Sequence, residues 1–341
     1  MALKINPNHQ LLWRDTNILQ IGVGSPAVVL QNLTSAEERL IDALYYGVPE
    51  HSLGPTASQL RVSPERSAEL LKAVDGVLMT TPRVEPSEKE FTSVSAAERA
   101  RASLDNRSDA RLVLTRRRAA TVFIEQMDAT GLTLLLALAA AGVGTVVSRD
   151  TGSVTREDAA SNLYPIALVG RGRVPAARLI LDSSWPGTKL LNYSKLGDRR
   201  TVPYNLAVIT SHLVSNPATA AAWRTSDTPV LEVRYQPFGA EVSPVLDGLD
   251  GCLVCRDHRA QDSDPSHIAV SSQMHESNLR FDDGGTRLVA CGLAVGSILD
   301  FIDTGSARTS HTYSRETDRV ESTIGWGSHP ACGCQISAGG I

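Results

Sequence analysis

The sequence predicts an α/β chain built on a doubly wound, Rossmann-like parallel sheet with a zinc-stapled C-terminal part, preceded by a small α+β domain of the winged-helix kind. Three observations carry that prediction. From residue 110 onward, short apolar runs alternate with helical segments, the pattern of a parallel sheet covered on both faces. Four of the five cysteines fall in two tight pairs, Cys252-Leu-Val-Cys255 and Cys332-Gly-Cys334. The region before residue 80 mixes β-prone runs with well-capped helices.

In that first region Leu11 to Trp13, Ile18 to Ile21 and Ala27 to Leu30 read as strands separated by polar and Gly-Ser-Pro turns. Thr34-Ser-Ala-Glu37 is a capping box opening a helix that buries Leu40, Ile41, Leu44 and Tyr45. Thr56 to Leu60 reads as a short helix. Ser63 caps the next, with Pro64 at its first position and an apolar stripe of Leu70, Leu71 and Val74. Val77 to Met79 returns as a strand. The domain is expected over residues 1–80. A linker rich in Ser, Glu, Arg and Pro follows over 81–109, with one exposed helix near Ala96 to Leu104.

Over residues 110–341 the strands are Thr121 to Ile124, Thr145 to Val147, Leu179 to Leu181, Leu206 to Ile209 and Val230 to Val233. Gly131 to Ala141 is a helix, and the apolar run Leu288 to Ile302 is another, with Gly292 and Gly296 placed for close packing. Cys291 lies in that run and reads as a buried, inert thiol.

Thiolates two and three residues apart chelate one ion from a single turn, so the two cysteine pairs supply the four ligands of a closed zinc site. A closed tetrathiolate leaves no position for water, which makes the expected zinc structural. The 33 basic residues against 37 acidic ones give a net charge of −4, which argues against general affinity for nucleic acid or anionic membrane. Met1 to Arg14 lacks the apolar core of a signal peptide, and Leu132 to Gly144 is too short to span a bilayer. A cytoplasmic location is expected.

Further motifs carry a resemblance. Gly131-Leu-Thr-Leu-Leu-Leu-Ala-Leu-Ala-Ala-Ala-Gly-Val-Gly144 looks like the nucleotide-binding helix of the ubiquitin-activating-enzyme-like (ThiF/MoeB) family. Asp150 falls where that family places its ribose-gripping acid, Ser161-Asn-Leu163 resembles its Ser-Asn-Leu element, and Gly170-Arg-Gly-Arg173 its Gly-x-x-Lys element. Cys252-Leu-Val-Cys255-Arg-Asp-His-Arg259, Asp264-Pro265 and His329-Pro-Ala-Cys-Gly-Cys334 resemble a narrower group. That group is the leader-peptide-binding, cyclodehydratase-partner proteins of thiazole/oxazole-modified peptide (TOMM) biosynthesis. The resemblance implies an N-terminal winged-helix peptide-recognition element, a ThiF-like domain, and a YcaO-type partner enzyme that uses ATP. It also implies pairing of ThiF-like domains into a homodimer.

The departures from the parent family bear on chemistry. Its adenylating members carry Gly-x-Gly-Gly-x-Gly, which lets backbone amides approach a triphosphate. This chain has Gln126-Met-Asp-Ala-Thr-Gly131. Gln126 and Ala129 add side chains there and Asp128 adds a negative charge. An uncompensated carboxylate about 4 Å from a phosphate costs about 4 kcal/mol at an effective dielectric near 20. The expected arginine after Ser-Asn-Leu is Pro165, the expected lysine is Arg173, and the expected magnesium-binding aspartate is Ser211. Gln126, Asp128, Gly131, Asp150, Arg173 and Ser211 therefore mark a degenerate nucleotide site, and ATP is not expected as a cofactor.

Bland readings fit the remaining candidates. Asp150 without a glycine loop reads as a solvated strand end, His212 as a surface or loop histidine with no orienting acid nearby in sequence, and Arg116-Arg-Arg118 as a solvated turn. His258 and His329 are expected to support the thiolates rather than replace them. The helix Pro64 to Val74 sets Arg66 and Lys72 against Glu65 and Glu69, a poor DNA-recognition surface. The resemblance implies that a leader peptide adds as a strand beside Ala27, Val28, Val29 and Leu30, with its side chains against Leu70 and Val74. The leading expectation is thus a non-catalytic scaffold that recognises a precursor peptide's leader. The alternatives are a divergent adenylating enzyme and a DNA-binding regulator.

Overall fold

The computed structural model describes residues 2–24, 27–81, 94–106, 109–184, 187–193, 204–224, 228–247 and 251–334. The chain divides into two compact units, Met1–Arg116 and Arg117–Ile341. Much of the expected linker, residues 82–93 and 107–108, lies outside the described residues.

The first unit runs β1 (Ala2–Ile5), β2 (Leu11–Asp15), β3 (Ile18–Ile21), β4 (Val28–Leu30), α1 (Ser35–Tyr46), β5 (Val48–Pro49), α2 (Leu53–Gln59), α3 (Pro64–Val74), β6 (Leu78–Thr81) and α4 (Ala96–Asn106). The Thr34 capping box closes on both sides, with the Glu37 carboxylate accepting from the Thr34 N–H at 2.7 Å. The Ser63 hydroxyl likewise accepts from the Arg66 N–H at 3.2 Å and starts α3. Two three-stranded antiparallel sheets form, ordered β2-β3-β4 and β5-β1-β6. Ile5, Leu19, Ile21, Leu40, Ile41, Leu44, Leu70 and Val74 share one core. The helix expected to be exposed differs: in α4, Ala102 is 0 % exposed, and the Asn6 amide donates to the Ser103 carbonyl at 3.1 Å. α5 (Ala110–Ala119) spans the boundary between the units.

In the second unit come β7 (Thr121–Ile124), α6 (Ala129–Ala140), β8 (Thr145–Ser148), α7 (Arg156–Ala160), α8 (Arg173–Ser184), β9 (Lys189–Asn192), β10 (Leu206–His212), α9 (Pro217–Arg224), β11 (Val230–Gln236) and β12 (Gly239–Val242). They are followed by α10 (Leu253–Ser263), α11 (His267–His275), α12 (Gly284–Thr304), β13 (Thr309–Ser314) and β14 (Arg319–Ile324). One eight-stranded sheet is ordered β14-β13-β12-β11-β10-β7-β8-β9. Strands β11 through β9 in that order are parallel, and β12 to β14 extend the sheet antiparallel.

Alternation along the strands explains the two covered faces. Val122 and Ile124 join Leu132, Leu135, Ala290, Ala294 and Ile298, so α6 and α12 cover one face. Phe123, Val147, Ala207 and Ile209 join Trp223 and Leu253, so α9 and α10 cover the other. α12 has the length and hydropathy of a membrane span, but Ala290, Cys291, Ala294 and Ile298 place one side of it in this core.

Two expectations fail here. Leu179 to Leu181 is not a strand but part of α8, where Val174, Ala177 and Leu181 are buried at helical spacing and Leu179 faces solvent. The true strand is β9, eight residues beyond Leu181. Arg116-Arg-Arg118 is the end of α5 rather than a solvated turn. Arg117 is 3 % exposed and bonded to Asp303 through Nη2 at 2.6 Å and Nε at 3.1 Å.

Candidate functional site

The connection after β7 leads to β8 and β9 on one side, and β10 then returns to the other side of β7. The C-terminal ends of β7 and β10 therefore flank a topological switch point, the usual ligand crevice of such sheets. Residues 125–128 and Ser211-His212 lie there.

Asp128 occupies the helix end that a phosphate would approach. Its Oδ1 accepts from the Gly131 N–H at 3.1 Å and caps α6, while Oδ2 pairs with Arg280 at 2.9 Å. The charge expected to stand uncompensated is thus matched, by an arginine 152 residues away in sequence. Gly131 has a packing reason of its own: a Cβ there would stand 1.9 Å from the Gln126 carbonyl oxygen. Its retention says nothing about phosphate.

Asp150 is not a solvated strand end. Its carboxylate accepts from the Met127 N–H at 2.7 Å and the Gly152 N–H at 2.6 Å, and is 7 % exposed. It fastens the loop after β7, which Tyr164 also holds by donating to the Met127 carbonyl at 2.6 Å. Burial pushes the Tyr164 hydroxyl far above its ordinary pKa, so it stays a donor. Arg173 pairs with Asp158 at 2.8 Å and stands 3.8 Å from Asp150. Pro165 opens a 3₁₀ turn, Ile166–Leu168.

Ser211 donates to Glu232 at 2.8 Å. Glu232 is 1 % exposed. Burial would raise its pKa, but the charges of Arg256 and Arg234 bring it below the ordinary value. His212 also departs from its expectation. It stacks on Tyr235 with ring centroids 5.4 Å apart, accepts from the Phe281 N–H at 3.4 Å, and its Nε2 lies 3.9 Å from Asp282. Burial, joined by the Arg280 charge, lowers its pKa. An acid does face it, but from the segment before α12, which proximity in sequence could not reveal.

The cysteine pairs meet. Cys252 Sγ lies 3.7 Å from Cys255 and 3.6 Å from Cys332, Cys255 Sγ lies 3.4 Å from Cys334, and all four fall within 4.8 Å of one another. Tetrahedral thiolates about 2.3 Å from zinc stand about 3.8 Å apart, so the group can hold such an ion. The His329 N–H donates to Cys255 Sγ at 3.3 Å, its ring stacks on His258 at 5.0 Å, and its Nε2 is 2.8 Å from Asp262. Burial raises the Cys252 thiol well above its ordinary pKa, so metal loading must displace protons. Arg256, next to Cys255, reaches the buried Glu232 at 2.6 Å and lies 5.5 Å over the Trp326 ring. That contact ties the Cys252–Cys255 turn to the sheet.

In the first unit β4 is an edge strand, paired only with β3 among the described residues. Ala27 is exposed, Val28 half-buried, Val29 37 % exposed and Leu30 buried. Leu70 and Val74, at 2 % and 0 % exposure, are interior residues. They shape the space beside β4 but cannot line an open groove, because their α3 face is turned into the core.

No protein-family model and no curated protein matches the chain. Its structure is similar to E. coli MccB, with TM-score 0.71 and 15% identity over 97% of this chain and 96% of that one. It is similar also to MccB with ATP, with TM-score 0.67 and 14% identity over 97% and 99%. The microcin C7 biosynthetic enzyme MccB in complex with N-formylated MccA matches with TM-score 0.67 and 15% identity over 97% and 99%. PaaA matches with TM-score 0.64 and 15% identity over 93% and 98%. At such identities the likeness establishes a shared fold.

Proposed function

We propose that this chain is a non-catalytic scaffold in ribosomal-peptide modification of the azoline type, binding a precursor's leader and presenting the core to a YcaO-type partner. The observation that carries the reading is the occupied helix end at the switch point. Asp128 caps α6 and is locked to Arg280, while the Ser211 hydroxyl is engaged by Glu232. Triphosphate needs open amides, and magnesium at the end of β10 needs a carboxylate there; the Met127 and Gly131 amides are already taken by Asp150 and Asp128, and the β10 position is the neutral Ser211 hydroxyl. Peptide capture draws support from the β4 edge and from the MccB fold, solved with MccA peptide. In this reading the first unit acts as a winged-helix recognition element, and zinc on Cys252, Cys255, Cys332 and Cys334 holds the second unit together without joining the chemistry. The protein pairs as a homodimer in the cytoplasm.

A second reading, a divergent adenylating enzyme, is favoured by one fact: a similar fold was solved with ATP, and that protein is an enzyme. Both readings expect a bound peptide and part on ATP, so the strand-edge placement is tested by itself. Val29→Glu places a charge on the open strand edge, and the scaffold reading expects at least tenfold weaker leader binding by fluorescence anisotropy. Undiminished binding would remove β4 as the recognition edge.

A further inference from the structure

One end of the eight-stranded sheet is left without cover. β14 pairs only with β13 among the described residues, and every residue of Arg319–Ile324 is exposed. Open strand edges are usually blunted by shortness, lysine, proline or a bulge. β9, at the opposite end, is four residues long, begins with Lys189 and keeps Leu190 buried. β14 contains neither lysine nor proline, and its register against β13 runs unbroken from Ser314↔Arg319 to Thr309↔Ile324. It also carries Val320 at 43 % and Ile324 at 86 % exposure.

The open hydrogen-bonding groups follow from the ladder. In an antiparallel pair, opposite residues alternate between exchanging both backbone bonds and exchanging neither. The Gly325 N–H donates to the Arg308 carbonyl at 2.8 Å, so Thr323, Glu321 and Arg319 bond in turn to β13. On the far side of β13 the Arg315 N–H donates to the Phe238 carbonyl at 2.9 Å, which fits the same phase. Val320, Ser322 and Ile324 therefore turn their N–H and C=O groups outward.

We propose that β14 pairs antiparallel with the β14 of a second copy about a two-fold axis at Ser322, joining the two sheets into one. The inference rests on the homodimer of the proposed function and assigns its seam. Symmetry and the bonding phase select the register. With Ser322 opposite Ser322 of the second copy, Val320 meets Ile324 and Ile324 meets Val320. Every outward group then finds a partner, the exposed aliphatic residues cover one another, and Glu321 faces Thr323. A shift that sets Val320 opposite Ser322 brings Glu321 against Glu321, like charges directly opposite, and Ile324 against the turn residue Asp318. A shift the other way leaves Val320 beyond the end of the partner strand. Edges about 20 Å long bury less than the roughly 1,200 Å² of a stable complex, so the dimer should dissociate on dilution.

The full-length, zinc-loaded protein is followed by sedimentation equilibrium from about 1 to 200 µM. A reversible dimer is expected. Ser322→Pro removes an N–H that makes no bond inside the chain. The melting temperature should hold, while the dissociation constant of the dimer rises about tenfold or more. Register is read by cross-linking. Ser322→Cys sets two thiols on directly opposite residues with Cα atoms about 5.5 Å apart, and mild oxidation should join the copies beyond any linking of the unaltered chain. Glu321→Cys places its pair on a diagonal about 8 Å apart, too far for a disulfide, and should stay unlinked. Ser322→Cys leaves the strand intact, so the test stands even where the proline variant fails to fold. A dimer undiminished by Ser322→Pro, or Glu321→Cys linking as readily as Ser322→Cys, overturns this seam and leaves pairing itself in place. A monomer at every concentration overturns the seam and the homodimer together.

Discussion

Asp128 gives the account its sharpest mutational test. Its Oδ1 caps the Gly131 N–H and its Oδ2 meets Arg280, while the residue itself is 1 % exposed. Asp128→Ala removes both contacts. Loss of an N-cap costs about 1 kcal/mol. The ion pair adds about 0.5–1 kcal/mol after discounting for Arg280, whose side chain is 43 % exposed and which keeps Asp282. The expected total is about 2 kcal/mol. Asp128→Asn retains a capping oxygen, since Asn caps as well as Asp, and should cost only about the ion-pair part. Urea unfolding of both variants, followed by circular dichroism, gives the difference. If Asp128→Ala were as stable as the unaltered chain, the carboxylate would not be holding the helix end. If Asp128→Asn alone gained micromolar affinity for ATP, charge would be the single obstacle, and the combined role given to Gln126, Ala129 and Ser211 would fall.

Three further outcomes follow from the same geometry. The protein should carry one zinc per chain by elemental analysis; Cys252→Ser should lose it along with thermal stability and solubility, and a fully stable but inactive Cys252→Ser would contradict a structural metal. Arg117→Met should cost about 3–5 kcal/mol in urea unfolding by removing the guanidinium that neutralises the buried Asp303, and adding Asp303→Leu should recover most of it. His212 is held below its ordinary pKa of 6.5 by burial, so below that pH the unfolded chain takes up the proton more readily than the folded one. Its contribution is full above pH 6.5 and falls as pH drops, by up to about 1.4 kcal/mol per pH unit; His212→Gln should flatten that decline in a series of melts.

What the sequence disclosed was local. The Thr34 capping box, the Ser63-Pro64 helix start, the strands at residues 121 and 145 and the two cysteine pairs each carry their signal within a few residues. What it concealed depends on partners far along the chain. Arg117 is a buried ion-pair member only because Asp303 arrives 186 residues later, and a run of three arginines looks solvated until then. Asp150 is a loop clamp because Met127 offers its N–H, and His212 meets its acid through the segment at Asp282. β13 and β14 were missed for another reason. β14 is exposed at every position, so no apolar alternation marks it. The strand assigned to Leu179 to Leu181 failed because three aliphatic residues fit either period, and only the burial of Val174 and Ala177 decides for the helix.

The most direct test of the central claim is calorimetric titration of the zinc-loaded protein with ATP and magnesium, beside inorganic triphosphate. The account predicts no micromolar binding and no preference for ATP over triphosphate, because Asp128 fills the helix end and Ser211 offers no carboxylate. Micromolar, magnesium-dependent binding that favours ATP would contradict it and make the adenylating enzyme the reading to pursue.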